Sequence, residues 1–237
     1  MLIYLDVETT GFEQNDRLCA LGMILYEGDV ASTYRELVKP PKKVRPEASA
    51  LNHITNEMLK DKKDFESSEI KEILHKYNTI DTVFVGHNIG FHIEMLKKEG
   101  FVFNAAFIDT LKCSRNLIQE CERFSLQFLR YELRLYKEED ALFDELGIEI
   151  RPGDVLSDAL HTRLLHRYLN ETADDERLQE ISAGPVLVEK LNFGKYKGRF
   201  IEEIVMNDAD YLEWVLSSME SLDEDTRYSI EHYMKMI

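Results

Sequence analysis

The chain has 237 residues, with 45 acidic against 29 basic side chains and a formal net charge of −16 at pH 7. A chain of this length holds one large domain, or a medium domain followed by a small one. The charge excludes nucleic-acid binding by bulk electrostatics, because phosphate contacts are made by Lys and Arg. Any polyanion must therefore be met through metal ions and local basic spots. The apolar share, 44%, is ordinary for a soluble protein, and no apolar run is long enough to span a bilayer, so no membrane partner is expected. The first residues show no basic segment followed by an apolar one. Cys19, Cys113 and Cys121 lack metal or redox spacing. Both features lead us to expect a reduced, cytoplasmic setting.

Taken in order, the short apolar run Leu2 to Leu5 predicts a buried strand that continues into Asp6 and Glu8 and stops at Gly11. Residues two apart in a strand share a face, so these two carboxylates stand side by side. Unless a cation lies between them they raise each other's pKa, and Mg²⁺ or Mn²⁺ suits oxygen ligands. Residues 17–26 and 30–38 predict a second and third strand joined by a hairpin turn at Gly28-Asp29. Pro40, Pro41 and Pro46 break regular structure, and Thr55 is the expected cap of a helix start. Residues 66–77 have helical spacing. A fourth strand, Thr82 to Val85, ends in Gly86-His87-Asn88, and a helix over 90–99 follows. The fifth strand is Ala105 to Ile108, closed by Asp109-Thr110. Residues 110–120, 125–135 and 155–168 are helical in pattern. A meander of strands followed by alternating strands and helices predicts an α/β domain with a mixed sheet over 1–170. The acid-rich stretch 171–185 reads as a linker, and 186–237 as a second, small unit.

Five stretches carry a resemblance. They are Asp6-Val7-Glu8-Thr9-Thr10-Gly11-Phe12, the segment Val44 to Leu59, Val85-Gly86-His87-Asn88-Ile89-Gly90-Phe91, Phe107 to Leu111, and Leu156-Ser157-Asp158-Ala159-Leu160. In this order, over about residues 1–169, they resemble the motifs of the DEDD 3′–5′ exonucleases (DEDDh type), the family of the proofreading subunit of bacterial DNA polymerase III. The resemblance implies a ribonuclease H-like exonuclease fold, with a mixed five-stranded sheet flanked by helices. It implies a bacterial enzyme that hydrolyses terminal phosphodiesters of DNA, single-stranded or at 3′ ends, with Mg²⁺ or Mn²⁺. RNA, a homodimer and a protein partner stay open. In the family, four carboxylates hold two divalent ions and a His or Tyr helps to remove the proton of the attacking water. Carried over, Asp6 bridges both ions, Glu8 holds the one that activates water, and Asp158 completes that site.

Two positions depart from the family pattern. His92 stands where the second motif has Asp, and Gly153 stands where the general-base His precedes Asp158 by five residues. His92 either ligates a softer ion as neutral imidazole or is a surface residue where a ligand has been lost. A general base is worth roughly 10²–10⁴ in rate, so weakened turnover is expected. The alternative is a catalytically inactive fold kept as a nucleic-acid-end or protein-binding module. Three neighbours offer themselves as stand-ins. Glu94 is about 200° around the helix from His92, Asp154 adjoins Gly153, and His161 lies one turn beyond Asp158, where a half-buried polar residue is the plainer reading.

The motif resemblance also implies nucleic-acid contacts at Thr9, Thr10, Gly11, Phe12, His87, Asn88 and Phe91. Phe12 and Phe91 either stack on terminal bases or pack in the core, and His87-Asn88 suits fixing the strand-end turn. Leu191 to Ile204 and Asp210 to Val215 resemble the small C-terminal domain of exodeoxyribonuclease X-like proteins, expected here as α+β. There Lys195, Lys197 and Arg199 alternate with Tyr196 and Phe200. In a strand-turn they would form a phosphate-contacting patch, against the plainer reading of a solvated hairpin packed on Trp214.

Overall fold

The computed structural model describes residues 1–11, 13, 15–28, 30–118, 120–121, 123–149, 151, 153–219 and 222–236. Phe12 and Asp29 lie outside the described residues, so the base-stacking role expected of Phe12 and half of the expected hairpin turn are not addressed by it. The strands are β1 (Leu2–Thr9), β2 (Leu18–Glu27), β3 (Val30–Leu37), β4 (Val83–Gly86) and β5 (Ala106–Asp109). They form one mixed sheet in the order β3-β2-β1-β4-β5, antiparallel from β3 to β1 and parallel from β1 to β5. The expected five-stranded mixed sheet is present.

Alternation along β1 sorts its side chains between two cores. Ile3, Leu5 and Val7 face one layer, where they meet Ile70 and Leu74 of α3 (Glu69–Tyr77) and Ile89, Ile93 and Leu96 of α4 (Ile89–Lys98). Tyr4 faces the other layer, with Leu160, Leu164 and Leu165 of α8 (Val155–Leu169). By the same alternation, Asp6 and Glu8 belong to the α8 face. Gly22 pairs with Asp6 in the sheet register. A Cβ at Gly22 would lie 2.8 Å from the Val155 side chain, so only a residue without one lets the first turn of α8 rest on the sheet there.

Several expectations about local structure are revised. Pro46 does not break structure: it starts α1 (Pro46–Asn52), at a position where its missing N–H costs nothing. His53, in the left-handed region at φ 58°, ends that helix. Thr55 then caps α2 (Asn56–Leu59) by accepting a bond from the Met58 N–H at 3.4 Å, as expected. After β5, α5 (Thr110–Leu117) and α6 (Leu126–Glu132) are followed by α7 (Tyr136–Leu146), which the sequence reading passed over.

The stretch read as a linker is folded. It contains α9 (Asp175–Ala183), capped by Asp174, with Leu178 and Ile181 buried in the same core as α8. The Asp109 N–H at the end of β5 donates to Ser182 Oγ at 2.7 Å. Acid richness reflects the solvated side of this helix, not an open chain. Behind it, α10 (Ile201–Ser218) and α11 (Glu224–Met234) share a small core of Leu191, Ile201, Ile204, Leu212, Val215 and Ile230. The strand pairing expected in this unit is reduced, among the described residues, to a single bridge between Lys190 and Phe200. Asp225 of α11 joins this unit to the rest, accepting from Arg115 of α5 at 2.5 Å and from the Val186 N–H at 2.9 Å. Among the described residues no helix is long and apolar enough to cross a membrane.

If 171–185 were a linker, truncating Leu178 would be neutral. Because Leu178 is fully buried, Leu178→Ala is expected to cost about 2–5 kcal/mol, measured by urea unfolding of the full chain.

Candidate active site

The approach of α8 to β1 brings Asp158 to the face that carries Asp6 and Glu8. One carboxylate oxygen from each of the three lies within 4.8 Å of the others. Burial, followed by the charges of Asp158 and Glu8, pushes the Asp6 carboxyl well above the usual carboxylate range. Burial pushes Glu8 up to about 8, with the Asn52 amide opposing and Asp158 and Asp154 adding to the rise. Asp6 Oδ2 is buried with no hydrogen-bond partner among the described residues. Three crowded carboxylates and an orphaned oxygen fit a hard divalent cation with oxygen ligands, and fit a neutral or apolar guest badly.

His92 is 4% exposed, which overturns the surface reading. Its Nε2 lies 3.5 Å from Asp6 Oδ1, while Nδ1 is buried beside Gly86 with no partner. Burial, with His87 adding and a backbone bond to Leu5 opposing, lowers its pKa to about 3, so the ring is neutral at physiological pH. It touches Asp6 but is not part of the three-carboxylate cluster.

Gly153 has φ +71°, and a Cβ there would overlap the carbonyl oxygen of Leu51. A histidine side chain has no room at this position in this backbone. Asp154 is not a free stand-in. It caps α8 by accepting from Leu156 and Ser157 N–H groups, and it pairs with Arg35 at 2.6 Å. Glu94 points away from the site and pairs with Lys98 at 3.3 Å.

His161 is 1% exposed and belongs to a buried network that no sequence pattern announced. Gln127 donates to Asp158 Oδ1 at 2.8 Å and accepts from Arg130 Nη1 at 3.1 Å. Arg130 forks onto Glu139 at 2.6 and 2.5 Å, and Glu139 Oε2 meets His161 Nε2 at 3.2 Å. His161 Nδ1 faces Asp158 at 3.6 Å, just beyond hydrogen-bond reach. The network fixes Asp158 from behind and leaves its outer oxygen to the site.

Most of the remaining expected contacts are committed internally. Thr9 Oγ1 donates to the Gly11 carbonyl at 2.6 Å, and Thr10 Oγ1 to Asp16 at 2.7 Å. A Cβ at Gly11 would lie 2.5 Å from Asp16 Oδ2. Burial alone would raise the Asp16 carboxyl, but bonds from Lys42, Thr10 and the Glu13 N–H outweigh it and hold it at about 2. Arg45 adds a contact to Asp16 at 3.0 Å. His87 bonds to Thr110 Oγ1 at 3.1 Å and the Phe124 carbonyl at 2.8 Å, which is the turn-fixing role expected of it. Asn88 donates its N–H to Asp109 at 3.0 Å. Phe91 is half-buried against the α3–α4 core. In the C-terminal unit, Lys195 pairs with Asp208 at 2.7 Å and Arg199 with Glu203 at 3.3 Å. The three expected phosphate contacts there do not form one free patch.

Residues 3–144, more than half of the chain, match the exonuclease family (RNase_T). The chain belongs to the exonuclease family. Residues 191–217 also match the exodeoxyribonuclease X-like C-terminal family. The chain is 26% identical to exodeoxyribonuclease 10 of Escherichia coli (strain K12), over 99% of both chains. It is 29% identical to the PolC-type DNA polymerase III of Staphylococcus haemolyticus (strain JCSC1435), over 60% of this chain and 10% of that one. A solved structure of exonuclease X in complex with 5′ overhanging duplex DNA aligns with a TM-score of 0.58 and 22% identity, over 77% of this chain and 99% of that one. This likeness bears out the fold. Exonucleases of this fold use divalent metal ions, and the Asp6, Glu8 and Asp158 cluster offers such ions their ligands.

Two outcomes follow from this geometry. Gly22→Ala is expected to overpack the α8 contact by about 1–3 kcal/mol and to weaken Mn²⁺ affinity measured by isothermal titration. The second concerns pH. Glu8 stays protonated in the folded, metal-free protein between about 4.5, its ordinary value, and about 8. The folded state then binds more protons than the unfolded chain, so metal-free stability falls as pH rises through that window. Metal binding must displace those protons. The gain in Tm on adding Mn²⁺ is therefore expected to be larger at pH 8.5 than at pH 6, and to vanish in Asp6→Asn. Equal gains at both pH values would place the metal elsewhere.

Proposed function

We propose that this exonuclease-family chain is a 3′–5′ exonuclease that hydrolyses terminal phosphodiesters of DNA, using Mg²⁺ or Mn²⁺ held by Asp6, Glu8 and Asp158. The observation that carries the reading is the convergence of these three half-buried carboxylates within 4.8 Å at the β1–α8 contact. Divalent ions bound there supply polarisation of the phosphate and a lowered pKa for the attacking water. The protein's part is to hold the carboxylates fixed. The Gln127 amide orients Asp158, neutral His92 flanks Asp6, and the Asn52 amide, which donates to the Thr9 carbonyl at 3.2 Å, lies beside Glu8 and lowers its pKa. DNA as substrate is supported by the relatives, among them exodeoxyribonuclease 10.

The departures at His92 and Gly153 bear on rate. His92 puts a neutral ring where the family pattern has a carboxylate, and Gly153 supplies no proton acceptor. We read the chain as an enzyme with lowered turnover. The second reading, a binding module without catalysis, draws on the same two residues. Mononucleotide release from labelled single-stranded DNA is expected with Mn²⁺ and is expected to disappear in Asp6→Ala. No release above that of Asp6→Ala would favour the binding module. Restoring the carboxylate with His92→Asp is expected to raise the rate at least about tenfold, which corresponds to about 1.4 kcal/mol of barrier. Gly153→His alone is expected to destabilise the chain without raising the rate, because of the Leu51 carbonyl.

A further inference from the structure

Residues 39–63 depart from the acidity of the rest of the chain. They hold seven basic side chains and three acidic ones, a net charge of +4 in a chain of −16, so the remainder carries −20. Two lysine-rich runs, 39–45 and 60–63, are joined by one backbone contact. The Lys39 N–H donates to the Lys63 carbonyl at 2.8 Å. Val44 exchanges hydrogen bonds with the Asn56 side chain at 2.9 and 3.1 Å. The Arg45 N–H donates to the Thr10 carbonyl at 3.3 Å, which ties this ridge to the end of β1 just beyond Glu8.

Along the ridge the cations divide into two groups. Lys42 and Arg45 are turned onto Asp16 and brace the loop after β1. Lys39, Lys43, Lys60 and Lys62 are exposed, and among the described residues none of them is in an ion pair. Lys63, also exposed, reaches Glu69 at 3.5 Å. From Lys39 to Arg45 the chain spans at most about 20 Å, long enough to run beside several phosphates of one strand. The −20 elsewhere repels a polyanion and directs it to this edge.

We propose that this ridge is a track for the phosphate backbone. Lys39, Lys43, Lys60 and Lys62 would hold the nucleic acid leading away from the terminus that lies among the carboxylates, without reading its sequence. The inference rests on the proposed 3′-end nuclease only for which part of the nucleic acid lies on the track. The C-terminal cations, expected from the sequence to form a phosphate-contacting patch, are less suited because Lys195 and Arg199 already have partners.

The test is fluorescence anisotropy of a labelled duplex with a single-stranded 3′ extension, titrated with the full chain in EDTA at several salt concentrations. Replacing all four lysines with Gln (Lys39→Gln, Lys43→Gln, Lys60→Gln, Lys62→Gln) is expected to weaken binding at least about tenfold at low salt. The slope of log K against log salt is expected to shrink by about 3–4, near 0.9 for each lost contact. The combination Lys195→Gln, Lys197→Gln and Arg199→Gln is expected to change the slope by less than about 1. An unchanged slope in the first variant, or a larger loss in the second, overturns the track. Should the fourfold variant melt early, the four single variants are expected to lose about 0.9 each, and flat slopes among them overturn it equally. A reduced slope together with no nucleotide release by the native protein in Mn²⁺ would sink the nuclease reading and leave the track standing.

Discussion

Where β2 passes beneath the first turn of α8, Gly22 leaves no side chain between them, and the helix settles directly on the strand that carries Asp6. Two things depend on that contact. It closes the apolar core on the α8 side, in which Leu160, Leu164 and Leu165 meet Tyr4 and Ile24. It also forces Asp158 against Asp6 and Glu8, an arrangement that carboxylates without a cation tolerate only by keeping protons. Packing of the helix therefore holds the site in place against its own repulsion. A divalent ion removes that repulsion, so ligand binding and folding are coupled through a single helix–sheet contact.

The surroundings of the three carboxylates divide the labour unevenly. Asp158 is held by a buried chain of partners, Gln127, Arg130, Glu139 and His161, in which one cation and one anion neutralise each other. Asp6 has a neutral imidazole at 3.5 Å, a backbone bond from Val7 and, among the described residues, one oxygen with no partner. A buried polar atom left open is costly, and a cation at Asp6 relieves that cost. The rigid half of the site is on the helix and the unsatisfied half is on the strand.

The strands themselves were legible because β1 and β2 are apolar runs bounded by turn residues, and the shared face of Asp6 and Glu8 follows directly from strand periodicity. The pairing of Asp6 and Glu8 with Asp158 rested on resemblance, since no local pattern tells where a helix 150 residues later will cross. What the sequence concealed was tertiary. Gln127, Arg130 and Glu139 look like ordinary polar helix residues until the fold buries them. Pro46 reads as a breaker and is a helix start. The lysines at 195 and 197 looked like a free patch, but Asp208, at a kink in α10, claims Lys195. Short-range pattern reports periodicity and turns well, and it is silent on which charged groups find each other across the chain.

Helix α9 has a further consequence. A sheet ends somewhere, and the last strand offers its unpaired backbone groups to any other strand that comes by. Here β5 is that last strand, and α9 lies against it, with Ser182 accepting the Asp109 N–H and Leu178 and Ile181 sealing the side chains beneath. The acid-rich segment thus shields one border of the sheet from self-association, while its charged outer face keeps that border wet. A nuclease domain trimmed at residue 170 would keep every carboxylate of its site and lose the guard on its edge.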